Sequence, residues 1–371
     1  MAPIYRETPL RILLASAHPY FPELVGGAQT STHQLALAFR EKGHEVAVLA
    51  GLMGKGRFGL ARRLELKLRR RPWTEDRREY PVYRAWHAEA VISEVSSAFG
   101  AEVVLLQSGR PVTLAKALAQ TDTPTVIYLR NVETDDLGGR LSDLDDVTFI
   151  ANSKFTASRF LETDGVTSSV IYPMVTAERY RTTSQRRNVT FINPHPHKGV
   201  DIALAVAEQC PDIPFVFVKT WGLSDEQEQF LRDRLRGLPN VTLVPPTNDM
   251  KLIYRQARIV LAPSRWEEAF GRIAAEAHLS GIPVVGSDRG GLPEGIGSGG
   301  VVVRSDAGVE AWAGAIRRLW SDDGYYEQMS AAALRYSERP EMNAETQVER
   351  VLAVLNDAVR RKGGGGASPL Y

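Results

Sequence analysis

Short apolar runs rich in β-branched residues recur along the chain. The first series is Arg11–Ser16, Glu45–Ala50, Val103–Gln107, Thr125–Leu129 and Thr148–Ala151. A second follows at Val189–Asn193, Pro214–Val218, Val241–Val244, Ile259–Ala262 and Pro283–Gly286. Runs of this length that do not alternate with polar residues fit parallel strands buried on both faces. Between them lie stretches of helical period: Gln34–Lys42, with Gly43 as its C-terminal cap, then Asp201–Gln209, Asp225–Leu235 and Arg272–Leu279. Strands alternating with helices predict an α/β fold of doubly wound, Rossmann-like sheets. Two series predict two such domains, residues 1–175 and 176–340, joined near Tyr172–Gln185 where Pro173 and a polar run break the pattern. A last helical stretch, about 341–361, follows Pro340, and the Gly-rich tail 362–371 reads as disordered.

Composition narrows the class. Of 371 residues, 43% are hydrophobic, as in ordinary globular proteins. Lys plus Arg (45) balances Asp plus Glu (44), so no global charge points to nucleic acid. The single Cys210 suits a reducing compartment, and residues 1–10 lack a signal-peptide core, so the expected location is cytoplasmic. No run is long enough to be a membrane helix, which leaves peripheral membrane contact open.

Two segments depart from the alternation. Lys55–Arg78 carries ten Lys/Arg against three Asp/Glu, with Leu60, Leu64, Leu66 and Leu68 interleaved. It reads either as a solvated insertion or as a basic flap for an anionic acceptor or a membrane surface. The Asp-x-Asp triplet at Asp143–Asp145 reads as an acidic surface turn, and no metal site is expected.

The candidate chemistry concentrates in the second half. Pro263–Ala277 reads P-S-R-W-E-E-A-F-G-R-I-A-A-E-A. A strand ends at Ala262, a loop carries Glu268, Phe270 and Gly271, and a helix begins near Gly271 with Glu276 further along it. Amides at Gly271, Arg272 and Ile273 form an anion site at the helix start. Glu268 and Glu276 do not bind phosphate; their use is to accept hydrogen bonds from sugar hydroxyls. One anion site with a hydroxyl reader on each flank matches a nucleotide sugar. Lys198, in Asn193–Gly199 (N-P-H-P-H-K-G), is placed as a cation for a departing diphosphate. Glycine pairs after strands, at Gly26–Gly27 and Gly290–Gly291, let backbone approach a ligand closely. The first pair is not the G-x-G-x-x-G dinucleotide fingerprint, which disfavours NAD.

Taken together these residues resemble glycosyltransferase family 4, a retaining family of GT-B fold. The resemblance rests on Glu268 and Glu276 within P-S-x-x-E-E-x-F-G, on Gly26–Val46, on Asn152–Ala157 (NSKFTA), on Lys198–Gly199 and on Ser287–Glu294 (SDRGGLPE). It implies two domains facing across a cleft, with the last helix, about 341–361, packing back on the first domain. It also implies metal-independent transfer of a sugar from a nucleotide-diphosphate-sugar donor to a hydroxyl acceptor: a small molecule, a lipid-linked group or a glycan. Glu268 would touch the donor sugar, Phe270 and Gly271 backbone the same sugar, Arg272 and Ile273 backbone the diphosphate, and Glu276 the ribose. Lys198 would neutralise the leaving diphosphate, and Gly26 and Gly27 would line the diphosphate side. No cofactor beyond the donor substrate is implied.

Two positions depart from the family pattern. Asn193–His197 lacks an arginine before the lysine, which makes His197 or Arg265 the candidate second cation. Arg130 stands where the family often has a histidine; it reads either as a reader of a charged substrate or as a scaffold partner of Glu133. The alternatives in other classes are a non-catalytic nucleotide-sugar-binding partner and an epimerase or phosphorylase of the same shape. The donor sugar, the base, the acceptor and the oligomeric state are not legible in the sequence.

Overall fold

The protein is described here by a computed structural model covering residues 8–220 and 222–363. The chain divides into two compact units. Among the described residues, the first comprises 8–152, Thr156–Met174 and 345–363; the second comprises Ser153–Phe155 and Val175–Ala344.

The first unit is built on an eight-stranded sheet. Its strands are β1 (Arg11–Pro19), β2 (Glu45–Gly51), β3 (Trp73–Arg77), β4 (Pro81–Ala85), β5 (Val103–Leu106), β6 (Thr125–Leu129), β7 (Val147–Ala151) and β8 (Ser169–Val170). They lie in the order β3-β4-β2-β1-β5-β6-β7-β8. All neighbours are parallel except the β3–β4 pair. The helices of this part of the chain are α1 (Gly27–Glu41), α2 (Gly56–Arg69), α3 (Ala88–Phe99), α4 (Pro111–Leu118), α5 (Thr134–Leu137) and α6 (Lys154–Asp164). The second unit holds a six-stranded parallel sheet of β9 (Asn188–Ile192), β10 (Phe215–Val218), β11 (Val241–Val244), β12 (Ala257–Ala262), β13 (Val284–Ser287) and β14 (Gly300–Val303), in the order β11-β10-β9-β12-β13-β14. Around it run α7 (Ala177–Tyr180), α8 (Val200–Gln209), α9 (Asp225–Leu235), α10 (Met250–Tyr254), α11 (Arg272–His278), α12 (Leu292–Ile296), α13 (Val309–Ser321) and α14 (Asp323–Ser337).

The buried-strand expectation holds for the central strands, where β5 and β6 are buried at every residue. Ile12 and Leu13 of β1 are fully buried, and each such side chain contributes roughly 1.5–3 kcal/mol through removal of apolar surface from water. In both sheets the chain reverses its winding direction at one point: between β1 and β5 in the first, and between β9 and β12 in the second. Loops leaving neighbouring strands diverge there, which opens a crevice beyond their carboxyl ends.

Several expectations are corrected. The first helix starts at Gly27 rather than Gln34: Gln29, Ser31 and Thr32 are polar yet buried, so apolar periodicity misses these first two turns or so. β1 likewise runs on to Pro19, beyond the apolar run that ends at Ser16. The basic segment 55–78 is not a free insertion. It folds into α2 and β3, the antiparallel edge of the first sheet. Fully buried Arg84 of β4 locks it: its Nε donates to Asp76 at 2.8 Å, and its guanidinium lies 4.8 Å from the centroid of Phe58 on α2. The placement of the final helix, α15 (Ala344–Lys362), is not among these corrections: it is part of the first unit, where Gln347 Nε2 donates to the Pro173 carbonyl at 3.4 Å and Lys42 pairs with Glu345 and Glu349 at 3.3 and 3.0 Å. Lys362 is thus helical rather than part of a tail, and residues 364–371 lie outside the described residues.

Candidate active site

The switch point of the second sheet joins the two loops that carry the expected donor chemistry. β9 delivers Asn193–Lys198, and β12, its neighbour, delivers Pro263–Gly271. The loops are held together through backbone. The His197 carbonyl accepts from both Arg265 N and Trp266 N at 3.0 Å. Gly199 has φ +78°, and a Cβ there would stand 2.0 Å from the Pro263 carbonyl oxygen. Only glycine combines that left-handed conformation with so close an approach.

This closure brings Lys198 and Glu268, seventy residues apart, into one ion pair with Nζ to Oε1 at 2.5 Å. Ser264 Oγ donates to the same carboxylate oxygen at 2.9 Å. Both side chains of the pair keep about a fifth of their surface exposed, 21% and 19%, so solvent and ligands still reach them. An ammonium has three donors and a carboxylate about four acceptor directions, so the pair retains capacity for a ligand.

The helix start follows directly. Gly271 caps α11 in the left-handed conformation (φ +80°), and no side chain caps the helix. The Ala274 amide bonds the Gly271 carbonyl, and the Ile273 amide has no partner among the described residues. Phe270 is buried, so its ring is not exposed to a ligand. Further along α11, Glu276 accepts from Tyr254 Oη at 2.9 Å and lies 3.5 Å from Arg272 Nη2. Burial pushes the Glu276 carboxyl up, against the opposing pull of Arg272 and Tyr254. Arg272 Nη2 also donates to Tyr180 Oη at 3.4 Å. Tyr254 and Tyr180 were not readable as site residues, because neither stands in a motif; they arrive from α10 and α7.

Three sets of residues singled out in the sequence are engaged within the protein. Arg265 is committed elsewhere: its guanidinium makes two bonds to Asp201, Nε at 3.0 Å and Nη2 to the other oxygen, and Arg265 holds the Asp201 carboxyl below the usual range. Asn193 serves the turn: it is buried, has φ +68°, donates its amide to Val218 O and offers its carbonyl to His195 N. Gly290 and Gly291 brace the glutamate loop. Gly290 bridges Glu268 in parallel β fashion, the Gly291 amide donates to the Glu268 carbonyl at 2.6 Å, and a Cβ on Gly290 would meet that oxygen at 2.3 Å. His197 stays beside the lysine with its ring against Trp266 at 4.6 Å.

The first unit has its own constellation at its switch point. Gly26 caps α1 and Gly27 opens it, with no side-chain cap. Where β1 ends, His18 Nε2 meets Asp136 Oδ1 at 2.7 Å. Asp136 also accepts from Gly109 N at 2.9 Å and Asn131 Nδ2 at 2.6 Å. Burial works against its charge, but these bonds outweigh it and hold the carboxyl below the usual range. Gly109 (φ +87°) makes the room, since a Cβ there would stand 2.9 Å from the His18 ring. Sequence reasoning missed this pair because its members lie 118 residues apart. Arg130, at the end of β6, stacks over Tyr128 at 4.4 Å and lines a small cavity with Ser31, Tyr172 and Gln347. The expected Arg130–Glu133 pair does not form; the Glu133 carboxylate accepts from Val132 N instead. The Asp-x-Asp turn is exposed at Asp143, which pairs with Lys116, and no cluster of three metal-ligating side chains occurs among the described residues.

Two family profiles account for most of the chain: "Glycosyltransferase Family 4" matches residues 25–179, and "Glycosyl transferases group 1" matches 186–322. The chain belongs to glycosyltransferase family 4. Among curated relatives of this family 4 chain, a D-inositol 3-phosphate glycosyltransferase of Segniliparus rotundus is 32% identical over 186 residues, 47% of this chain and 40% of that protein. One of the same name from Corynebacterium aurimucosum is 37% identical over 111 residues, 29% of this chain and 26% of that protein. The matched stretch therefore spans less than half the length of these relatives. The fold is shared with HepE of Anabaena, solved with UDP-glucose, at TM-score 0.75 and 19% identity over 94% of this chain and all of that one. It is shared equally with sucrose-phosphate synthase of Thermosynechococcus elongatus, at TM-score 0.74 and 15% identity over 94% and 98%. Both neighbours carry the two-domain GT-B architecture.

Proposed function

We propose that this chain transfers a sugar from a nucleotide-diphosphate-sugar donor to a hydroxyl acceptor, with retention at the anomeric carbon and without a metal. The observation that carries the reading is the convergence of Lys198, Glu268 and the uncapped start of α11 beyond the β9/β12 switch point. In this reading the bond from the anomeric carbon to the diphosphate oxygen breaks. The acceptor oxygen bonds that carbon on the same face, and the acceptor proton passes to the departing phosphate oxygen. Lys198 and the Arg272 and Ile273 amides stabilise the charge that develops on the diphosphate, an effect worth roughly 2.7–4 kcal/mol per fixed donor in comparable sites. Glu268, with one oxygen held by Lys198 and Ser264, presents the other to a sugar hydroxyl. Glu276, oriented by Tyr254, reads the ribose. The His18–Asp136 pair and Arg130 are assigned to the acceptor. The glycosyltransferase relatives and the UDP-glucose in HepE support this chemistry.

A thermal-shift screen of UDP-, GDP-, ADP- and dTDP-sugars tests it, since a ligand that binds only the folded chain raises the melting temperature by mass action. One nucleotide class should raise it, with turnover on a hydroxyl acceptor in chelator. No shift with any donor, or activity abolished by chelator, would overturn the reading. Lys198→Ala and Glu268→Ala should each cut transfer at least about tenfold, near 1.4 kcal/mol in barrier.

A further inference from the structure

The inner face of α2 is well anchored, and its outer face is largely exposed. Phe58 lies under Arg84, Gly59 and Leu66 are buried, and Arg62 donates to the Glu75 carbonyl at 3.2 Å. On the other side Leu60, Leu64 and Leu68 stand 56%, 57% and 73% exposed. Their spacing of four places them within an arc of about 80° along roughly 12 Å of helix. Three consecutive leucines on one exposed stripe are not the scattered apolar residues normal on a surface. Trp86, itself 46% exposed, extends the patch: it packs beside Gly54, and the Arg63 guanidinium lies 5.8 Å from its ring.

The charge around this stripe has one sign. From Lys55 to Arg71 there are eight Lys/Arg and only Glu65 of opposite charge, in a chain whose formal net charge is +1. Glu65 is spent within the helix on Arg62 and Arg69, at 2.7 and 3.3 Å. Arg57, Arg63 and Lys67 are exposed. On a helical wheel Arg57 falls inside the leucine arc and Lys67 on its border, about 20° from Leu60. Long basic stems bordering an apolar stripe, with a tryptophan at its edge, match the interface of an anionic bilayer, where the leucines enter the acyl boundary and the cations meet lipid phosphates. No helix among the described residues is long and apolar enough to cross a membrane, so the contact would be peripheral.

We propose that α2 docks the first unit on the surface of an anionic lipid membrane. Co-sedimentation of the full chain with vesicles tests this. Binding to vesicles containing roughly one-third phosphatidylglycerol should exceed binding to pure phosphatidylcholine by about tenfold or more, and fall with added salt. The triple variant Leu60→Ser, Leu64→Ser, Leu68→Ser should lose that binding while keeping its melting temperature and its donor-induced thermal shift. The separate pair Arg63→Glu, Lys67→Glu should lose it through charge alone. Wild-type chain that stays in the supernatant with anionic vesicles overturns the proposal, as does a triple variant that binds like wild type. Concentration-dependent self-association that the triple variant abolishes, with no lipid binding, would show instead that a second copy covers the stripe. Vesicle binding is read without turnover, so its failure is separate from any failure of the transferase reading.

Discussion

The two switch points solve the same structural problem with different materials. In the second unit the site is made of backbone. Gly199, Gly271, Gly290 and Gly291 let two loops and a neighbouring turn approach within contact distance, and only then do Lys198 and Glu268 meet. In the first unit the site is made of side chains: His18, Asp136 and Asn131 hold one another, and Gly109 only clears space for the imidazole. Backbone construction demands particular residues at short, fixed spacings, and so leaves a motif. Side-chain construction draws on positions far apart in sequence, and leaves none.

The sharpest way to break this contrast is to add one carbon to the backbone-built site. Gly199→Ala should destabilise the second unit by roughly 3 kcal/mol, through left-handed strain plus the clash with Pro263, and should abolish donor binding; chemical denaturation and a donor thermal shift read both. An alanine variant of wild-type stability would mean the glycine is not required for closure.

Acid should act on the second unit by a comparable amount. His278, at the end of α11, is fully buried, and burial pushes its pKa down from 6.5 to about 4. The unfolded chain therefore takes up this proton before the folded one. Stability is complete above the unfolded value and is lost as pH falls from 6.5 toward 4, by roughly 3 kcal/mol in total. Urea titrations at neutral and acid pH measure the loss, and His278→Gln should flatten it.

In the first unit, His18→Ala and Asp136→Asn should each lower transfer by about tenfold, near 1.4 kcal/mol, through a raised acceptor KM. The donor-induced thermal shift should persist. A loss of donor binding in these variants would sink the assignment of the pair to the acceptor. The smallest effect belongs to Arg265→Ala. Its guanidinium is bonded to Asp201 at a half-exposed position, so transfer should change less than about threefold, consistent with the small worth of exposed ion pairs. A much larger fall would restore Arg265 as the second cation.

The same contrast explains what was legible. Ten strands are readable because each is a short, mostly apolar run rich in β-branched residues, and the Glu268 loop is readable because proline, glycine and two glutamates sit at fixed distances. The edge strand β3 was hidden inside the basic stretch, since W-T-E-D-R has one apolar residue and no run; β4 was missed because Arg84, buried there, breaks a run of only five residues. Tyr254 and Tyr180 were hidden for another reason. They orient Glu276 and Arg272 from separate helices, and no local pattern marks a residue whose partner is supplied by packing.

Patterning of apolar residues fixed two Rossmann-like sheets and the place of the Glu268 loop, because burial of a strand and a sharp glycine turn are local requirements written in neighbouring residues. The tertiary structure alone decided which charges pair: Lys198 with Glu268, Arg265 with Asp201, His18 with Asp136, and not Arg130 with Glu133. An ion pair depends on a few ångströms of separation. Across distant segments that separation is set by how strands order themselves in a sheet, not by the spacing of residues along the chain.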